Sequence, residues 1–274
     1  MLYLVSTPIG NLGDISQRAK DTLAQVDLVA CEDTRTSKNL FNLLGIHVKA
    51  TTPYHDHNAD TARPKLIQQL QQGKDIALVS DAGTPLISDP GYKLVRDCLA
   101  QHIKVSTIPG ANAVLSALQL SGLSSARFYF GGFLPTKSGD RKKHLNEVLS
   151  LKSTLIFYES PNRLLKALTD ILTVYGDREM AVIREITKKF EEVQKGTVSH
   201  LMDYYTQNGL PKGELVLVIA GADESQNTTA IDWVKLIQTV RPKYSVKEAA
   251  TLLSKKTGLS KKEIYQRILE NEKK

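Results

Sequence analysis

The sequence predicts an α/β protein: two α/β domains followed by a small helical appendage. Three observations predict it. Runs rich in Val, Ile and Leu alternate with helical patterns through the first half of the chain, the signature of βαβ units and a mostly parallel sheet covered on both faces. Further on, strands follow one another without a helix between them, so a mixed sheet is expected there. The length of 274 residues exceeds the roughly 100–200 of one domain, and a hydrophobic share of 41% is enough to bury a sizeable core.

Taken in order, strands are expected at Leu2–Ser6, Asp27–Cys31, Val48–Thr52, Asp75–Ser80 and Lys104–Ile108, each a short apolar run. Helices are expected between them at Ile15–Gln25, Lys38–Leu44, Ala62–Gln72 and Tyr92–Gln101, and another opens near Ala113. Gly131-Gly132-Phe133-Leu134-Pro135 and the polar stretch Thr136–Lys143 read as a linker. A strand at Thr154–Tyr158, a helix at Asn162–Val174 and strands at Met180–Glu185, Glu191–Gly196 and Glu214–Ala220 make the second set. Polar Ala222–Thr229 reads as another linker, and three short helices follow. Two of these begin with capping boxes, Ser245 with Glu248 and Ser260 with Glu263, and the appendage is of helix-turn-helix size. The expected domains are residues 1–132, 133–222 and 223–274.

Composition narrows the function. The 36 basic and 29 acidic residues give a net charge of +7, and the excess is concentrated in the tail, where eleven basic residues face six acidic ones from Glu224 onward. A solvated helical face or a contact with a polyanion such as RNA both produce that pattern. Cys31 and Cys98 show no paired spacing, so neither a disulfide framework nor a zinc site is expected. The longest apolar stretch, Leu215–Ala222, is far short of the roughly 20 residues of a membrane helix, and Met1-Leu2-Tyr3-Leu4 lacks a positive n-region. A soluble, cytoplasmic protein is expected.

The candidate chemistry lies in loops after strands, where open α/β sheets place their ligands. Neither a G-x-G-x-x-G after the first strand nor a G-x-x-x-x-G-K-[ST] occurs, which disfavours dinucleotide redox and P-loop phosphoryl chemistry. Instead the first strand runs into Ser6-Thr7-Pro8-Ile9-Gly10-Asn11. The fourth runs into Ser80-Asp81-Ala82-Gly83-Thr84-Pro85-Leu86-Ile87-Ser88-Asp89-Pro90-Gly91, and the fifth into Pro109-Gly110-Ala111-Asn112-Ala113. Small residues let backbone approach a ligand, while Asp81 and Asp89 accept hydrogen bonds from hydroxyl or amino groups. Three strand ends are thus expected to converge on one crevice. Cys31-Glu32-Asp33-Thr34-Arg35 sets carboxylates and an arginine at a strand-to-helix junction, where Asp33 or Thr34 equally suits a helix cap. His55 and His57 stand two apart with no further ligand nearby, which favours a polar loop touching substrate over a metal site. The charged stretch Arg184–Glu192 reads either as an exposed hairpin or as part of the site.

These loops, together with Glu159-Ser160-Pro161-Asn162-Arg163, Arg184-Glu185-Ile186-Thr187-Lys188, Gly132–Pro135 and Pro211-Lys212-Gly213-Glu214, resemble the ribosomal RNA methyltransferases of the tetrapyrrole-methylase class. The resemblance runs nearly the whole length, tail included, and nine motifs in order make it specific. It implies two α/β domains of the tetrapyrrole-methylase type with S-adenosylmethionine in the cleft between them. It also implies a homodimer, and transfer of methyl to a cytidine 2′-hydroxyl in the decoding region of small-subunit (16S) rRNA.

Carried over residue by residue, the cofactor contacts fall on Pro8, Asp81, Ala82, Gly83, Thr84, Ile87, Asn112, Ala113, Glu159 and Ile186. Ala82-Gly83-Thr84 stands where tetrapyrrole enzymes have Gly-Gly-Asp, and Asp81 is placed to take over the missing carboxylate. Beside these loops Asp33, Glu159 and Glu185 are the candidate bases, and Lys188 is the candidate stabiliser of charge on the oxygen. Arg35, His55, His57 and Arg163 are expected to touch RNA. Two alternatives share the features: a tetrapyrrole C-methyltransferase, or a ribosome-binding protein that keeps the fold without catalysis.

Overall fold

The computed structural model describes residues 1–222, 237, 239–241, 244–257 and 261–272. The chain forms two compact units, Met1–Gly221 and Ala222–Lys274.

In the first unit, β1 (Leu2–Val5), β2 (Leu28–Cys31), β3 (Thr51–Pro53), β4 (Ile76–Val79) and β5 (Val105–Ile108) form a sheet in the order β3-β2-β4-β1-β5. Every pairing in it is parallel, as the alternating pattern predicts. Alternate residues feed opposite faces. Val5, Val29, Cys31, Ala77 and Val79 pack with Ala19 and Leu23 of α1 (Gln17–Gln25) and Phe41 of α2 (Thr34–Leu44). Leu2, Ala30, Ile76 and Leu78 meet Leu66, Ile67 and Leu70 of α3 (Ala59–Gln71) and Leu94 and Cys98 of α4 (Tyr92–Ala100). Each such aliphatic side chain contributes about 1.5–3 kcal/mol by leaving water. The cysteines are free, buried and on opposite faces. Helix α2 starts four residues before the apolar pattern suggests, because Asp33 caps it by accepting from the Arg35 N–H at 2.7 Å.

The second sheet has the order β6-β7-β10-β8-β9, built from β6 (Phe128–Phe133), β7 (Thr154–Glu159), β8 (Glu179–Arg184), β9 (Glu192–Thr197) and β10 (Leu215–Ile219). β6 and β7 are parallel and the other pairs antiparallel, the mixed sheet expected. Helices α6 (Ser138–Glu147), α7 (Leu164–Tyr175) and α8 (Val198–Asn208) cover one face, where Leu145, Leu168 and Leu201 meet Leu155, Phe157, Val182 and Leu217.

The linker expected over Gly131–Lys143 is corrected. Gly131, Gly132 and Phe133 belong to β6, and most of the polar stretch is α6. That helix reads as polar because its anchor is charged. The buried Arg141 guanidinium donates to Asp170 of α7 at 2.8 Å and to the carbonyls of Pro135 and Thr136 at 3.0 and 3.2 Å. The passage between sheets lies after β5, at residues 109–112, because the helix that follows already packs on the second sheet.

Helix α5 (Ala113–Ser121) follows β5 but covers the other face of the second sheet. Its Val114, Ala117 and Leu118 pack with Ile156, Ala181, Ile183, Val216 and Val218. This crossover brings the carboxyl ends of β1, β4 and β5 up to the end of β7 and the start of β10.

In the second unit, α9 (Val246–Thr257) and α10 (Lys261–Glu272) pack through Ala249, Ala250, Leu253, Ile264 and Ile268, with Ile237 against them. The first capping box forms as expected: Ser245 N–H donates to Glu248 Oε2 at 2.9 Å and Glu248 N–H to Ser245 Oγ at 3.4 Å. The second box at Ser260, nearly all of the linker Ala222–Thr229 and most of the first expected helix lie outside the described residues. Among the described residues no helix is long and apolar enough to cross a membrane.

Candidate active site

A cleft of about 400 Å³ opens between the two sheets of the first unit. Ile9, Glu32, Asp81–Thr84 and Asn112 line one wall, and Phe133, Tyr158–Pro161 and Gly213–Val216 the other. The first wall is a single hydrogen-bonded assembly. Thr7 and Gly83 exchange backbone hydrogen bonds of 2.9 and 3.1 Å, which ties the β1 loop to the β4 loop. The Thr84 hydroxyl donates to the Ala111 carbonyl at 3.0 Å and accepts from Ser6 Oγ at 3.3 Å and Asn112 Nδ2 at 3.2 Å. It thereby joins all three strand ends. Asn112 also caps α5, its Oδ1 accepting from the Leu115 N–H at 3.1 Å.

Strain collects around this cleft. Leu86 and Ser88 in the β4 loop, and Glu185 and Thr187 after β8, hold left-handed backbone with φ of 75°, 66°, 50° and 65°. Each such residue costs on the order of 1–3 kcal/mol and persists where its surroundings impose it, commonly at functional sites.

The cleft is acidic. Burial raises the carboxyl of Glu32 above its ordinary range, opposed by the Asp81 N–H, while the Asp81 charge adds to the rise. Burial likewise pushes the Asp89 carboxyl up to about 6, against the Ser80 hydroxyl and with help from the charges of Glu32 and Asp81. On the facing wall Glu159 is buried. Its Oε1 accepts from Arg163 Nε at 2.6 Å and from Ser160 N–H at 2.7 Å, while its Oε2 has no partner. Arg163 is held in turn by a 2.9 Å bond to the Thr136 hydroxyl, so the Arg141 anchor reaches Glu159 through that loop.

Of the residues expected from sequence, Asp81, Ala82, Gly83, Thr84, Ile87, Asn112, Ala113 and Glu159 line the cleft together. Pro8 is buried between the bridging Thr7 and the lining Ile9. Ile186 is not among the lining residues; it is buried under α5. Asp33 also lies outside the lining, its carboxyl held down to about 2 by the hydrogen bonds of Arg35. Glu185 accepts from Lys188 Nζ at 2.9 Å and from the Glu214 N–H at 2.9 Å, and Lys188 also pairs with Glu214 at 2.9 Å. Burial opposes ionisation of Glu185, yet these partners outweigh it and hold the carboxyl low. The Lys188 stem crosses Gly10 so closely that a Cβ there would collide with it, which fixes the charged trio beside the first loop.

Arg35 is paired with Asp33 but its side chain is 90% exposed. His55 and His57 make an edge-to-face contact at 6.0 Å, and no metal-holding group of His, Cys, Asp and Glu occurs among the described residues. The sequence places Glu32, Glu214 and Phe133 within motifs but gives them no role at the site, and gives Asp89 only as a hydrogen-bond acceptor. The signal for the first was its place directly after β2.

The sequence profile of the Tetrapyrrole (Corrin/Porphyrin) Methylases matches residues 1–202, and that of the RsmI C-terminal HTH domain matches residues 235–272. The chain belongs to the tetrapyrrole methylase family. A relative from Mesorhizobium japonicum named ribosomal RNA small subunit methyltransferase I is 47% identical over 98% of this chain and 91% of its own. Its namesake in Escherichia coli O157:H7 is 41% identical over 99% and 95%. Among solved tetrapyrrole methylase folds, a diphthine synthase aligns with a TM-score of 0.62 at 15% identity over 80% of this chain and 89% of that one. Uroporphyrin-III-C-methyltransferase from Thermus thermophilus aligns with 0.53 at 18% over 79% and 93%. Likeness at that level concerns the fold, and it agrees with the two-sheet architecture expected from sequence.

Proposed function

We propose that this chain transfers a methyl group from S-adenosylmethionine to the 2′-hydroxyl of a cytidine in the decoding region of small-subunit ribosomal RNA. One observation carries the reading: relatives named for ribosomal RNA small subunit methylation match at 41–47% identity over nearly the full length, through the basic tail. A tetrapyrrole C-methyltransferase has no use for such a tail. A non-catalytic ribosome binder has no use for a strained, acidic cleft.

S-adenosylmethionine, when bound, supplies an electrophilic methyl on a positively charged sulfonium. The cleft fits that charge: Glu32, Asp81, Asp89 and Glu214 line it, and the buried Glu159 Oε2 is an acceptor awaiting a donor. Loops Ala82–Thr84 and Asn112–Ala113 offer close backbone approach to a nucleoside. The remaining tasks are positioning and removal of the hydroxyl proton.

Among the carboxylates, Asp33 is neutralised by Arg35, Glu185 by Lys188 and half of Glu159 by Arg163. Among the described residues no cation pairs with Asp89, and burial pushes its carboxyl up to about 6, so it is the base best matched to neutral pH. Lys188, held between two carboxylates, positions the Glu214 side of the cleft. Arg35, His55, His57 and the tail are the RNA contacts in this reading; Arg163 serves Glu159 first. A homodimer and a cytoplasmic location belong to the same proposal and rest on the family resemblance.

The test supplies methyl-labelled S-adenosylmethionine and small ribosomal subunits lacking the modification to the purified protein, then digests the RNA. Labelled 2′-O-methylcytidine is the expected product. Label on another nucleoside, or none despite cofactor binding, overturns the assignment.

A further inference from the structure

Phe133 lines the cleft yet is 60% exposed, a large apolar ring with no place in either core. Local backbone geometry puts it there. β6 pairs with β7 in regular register through Phe130, and then the register shifts so that Phe133 falls opposite Tyr158. Two glycines make the shift possible. Gly132 holds φ of 69°, and a Cβ on Gly131 would collide with the Phe157 ring. Bulges of this kind re-aim side chains next to active sites. The re-aimed ring is locked edge-to-face on Tyr158 at 5.2 Å, and Tyr158 on Phe130 at 5.0 Å. Ile87, itself 38% exposed, lines the same cleft from the strained β4 loop.

A pre-positioned, solvent-facing aromatic ring at a cleft that acts on RNA is suited to stacking an unpaired base, the usual mode of single-strand recognition. We infer that Phe133 is the stacking platform for the nucleobase of the acceptor nucleotide. This rests on the methyl-transfer reading above. The acceptor is favoured over the cofactor's adenine because Phe133 is open to solvent, where a polymer must enter, whereas the cofactor loops Ala82–Thr84 and Asn112–Ala113 stand on the facing wall and Glu159, the cofactor candidate on Phe133's own wall, is buried.

The test compares Phe133→Leu, which keeps apolar bulk but loses the π-face, with Phe133→Trp, which keeps it. Rates are measured on unmodified small subunits, and S-adenosylmethionine affinity by calorimetry. Stacking of one base supports a rise in KM for the RNA of roughly ten-fold or more in Phe133→Leu, with cofactor Kd unchanged and near-normal KM in Phe133→Trp. Unchanged KM in Phe133→Leu overturns the platform. So does a weakened cofactor Kd with RNA KM intact, which assigns the ring to adenine, and so does equal damage in both variants. No transfer by the unaltered chain overturns the functional reading and the platform with it; transfer by the unaltered chain with any of the other failures overturns the platform alone.

Discussion

A hydroxyl at position 84 knits three loops together and leaves the acid–base work to carboxylates around it. Burial pushes the Asp89 carboxyl up to about 6 and raises that of Glu32 in the same cleft, whereas Arg35 holds Asp33, outside the lining, near 2. A base works only when unprotonated, so the rate of methyl transfer should fall as pH drops through about 6. In Asp89→Asn that limb should vanish and the rate should drop by about 10²–10⁴; a retained limb at full rate would assign the proton elsewhere. The cofactor-loop residues were legible in sequence because each follows a strand directly. Asp89 owes its character first to burial and then to the charges of Glu32 and Asp81; neither the burial nor the approach of Glu32 from a different strand end is conveyed by spacing along the chain.

At the scale of elements, the polar look of α6 concealed its role. Reading it as a linker was reasonable from charge, since a buried ion pair has the same composition as a solvated turn. Ser138, Arg141 and Lys142 all converge on Asp170. Burial works against its ionisation, but these partners prevail and hold its carboxyl below the ordinary 3.8. Its stabilising contribution is therefore complete above that value and is lost as pH falls below it. Asp170→Ala strands a buried guanidinium, which should cost about 3–5 kcal/mol, measurable by urea unfolding with an unchanged m-value. A cost under about 1 kcal/mol would show that Arg141 finds water or other partners. Because Arg141 also grips Pro135 and Thr136, the variant should loosen Glu159 through Arg163 as well. The helix-free run of strands that suggested a mixed second sheet holds only for β8 and β9, because α8 separates β9 from β10 and was not read from the sequence; β6 was not legible either, since its paired glycines look like a break.

At the scale of the whole molecule, the tail packs around its own small apolar centre. Removing residues 222–274 should leave S-adenosylmethionine affinity intact while RNA binding weakens. Each phosphate that the shortened chain no longer neutralises should flatten the plot of log affinity against log salt by about 0.7. An unchanged slope in a filter-binding titration would remove the tail from the RNA interface. The class of fold was readable from periodicity and composition; the path of α5, which leaves one sheet to cover the other, was not, because its apolar face is compatible with either.

That path has a consequence for synthesis. β10 is the last strand of the second sheet to emerge from the ribosome, yet it occupies the sheet's centre, and Val216 and Val218 complete the surface that α5 needs. At about 5–20 residues per second, the apolar side of α5 waits several seconds for its cover during translation. A nascent chain paused before Leu215 presents that helix uncovered and a sheet missing its middle, the stage at which a chaperone binding apolar segments should hold it most firmly.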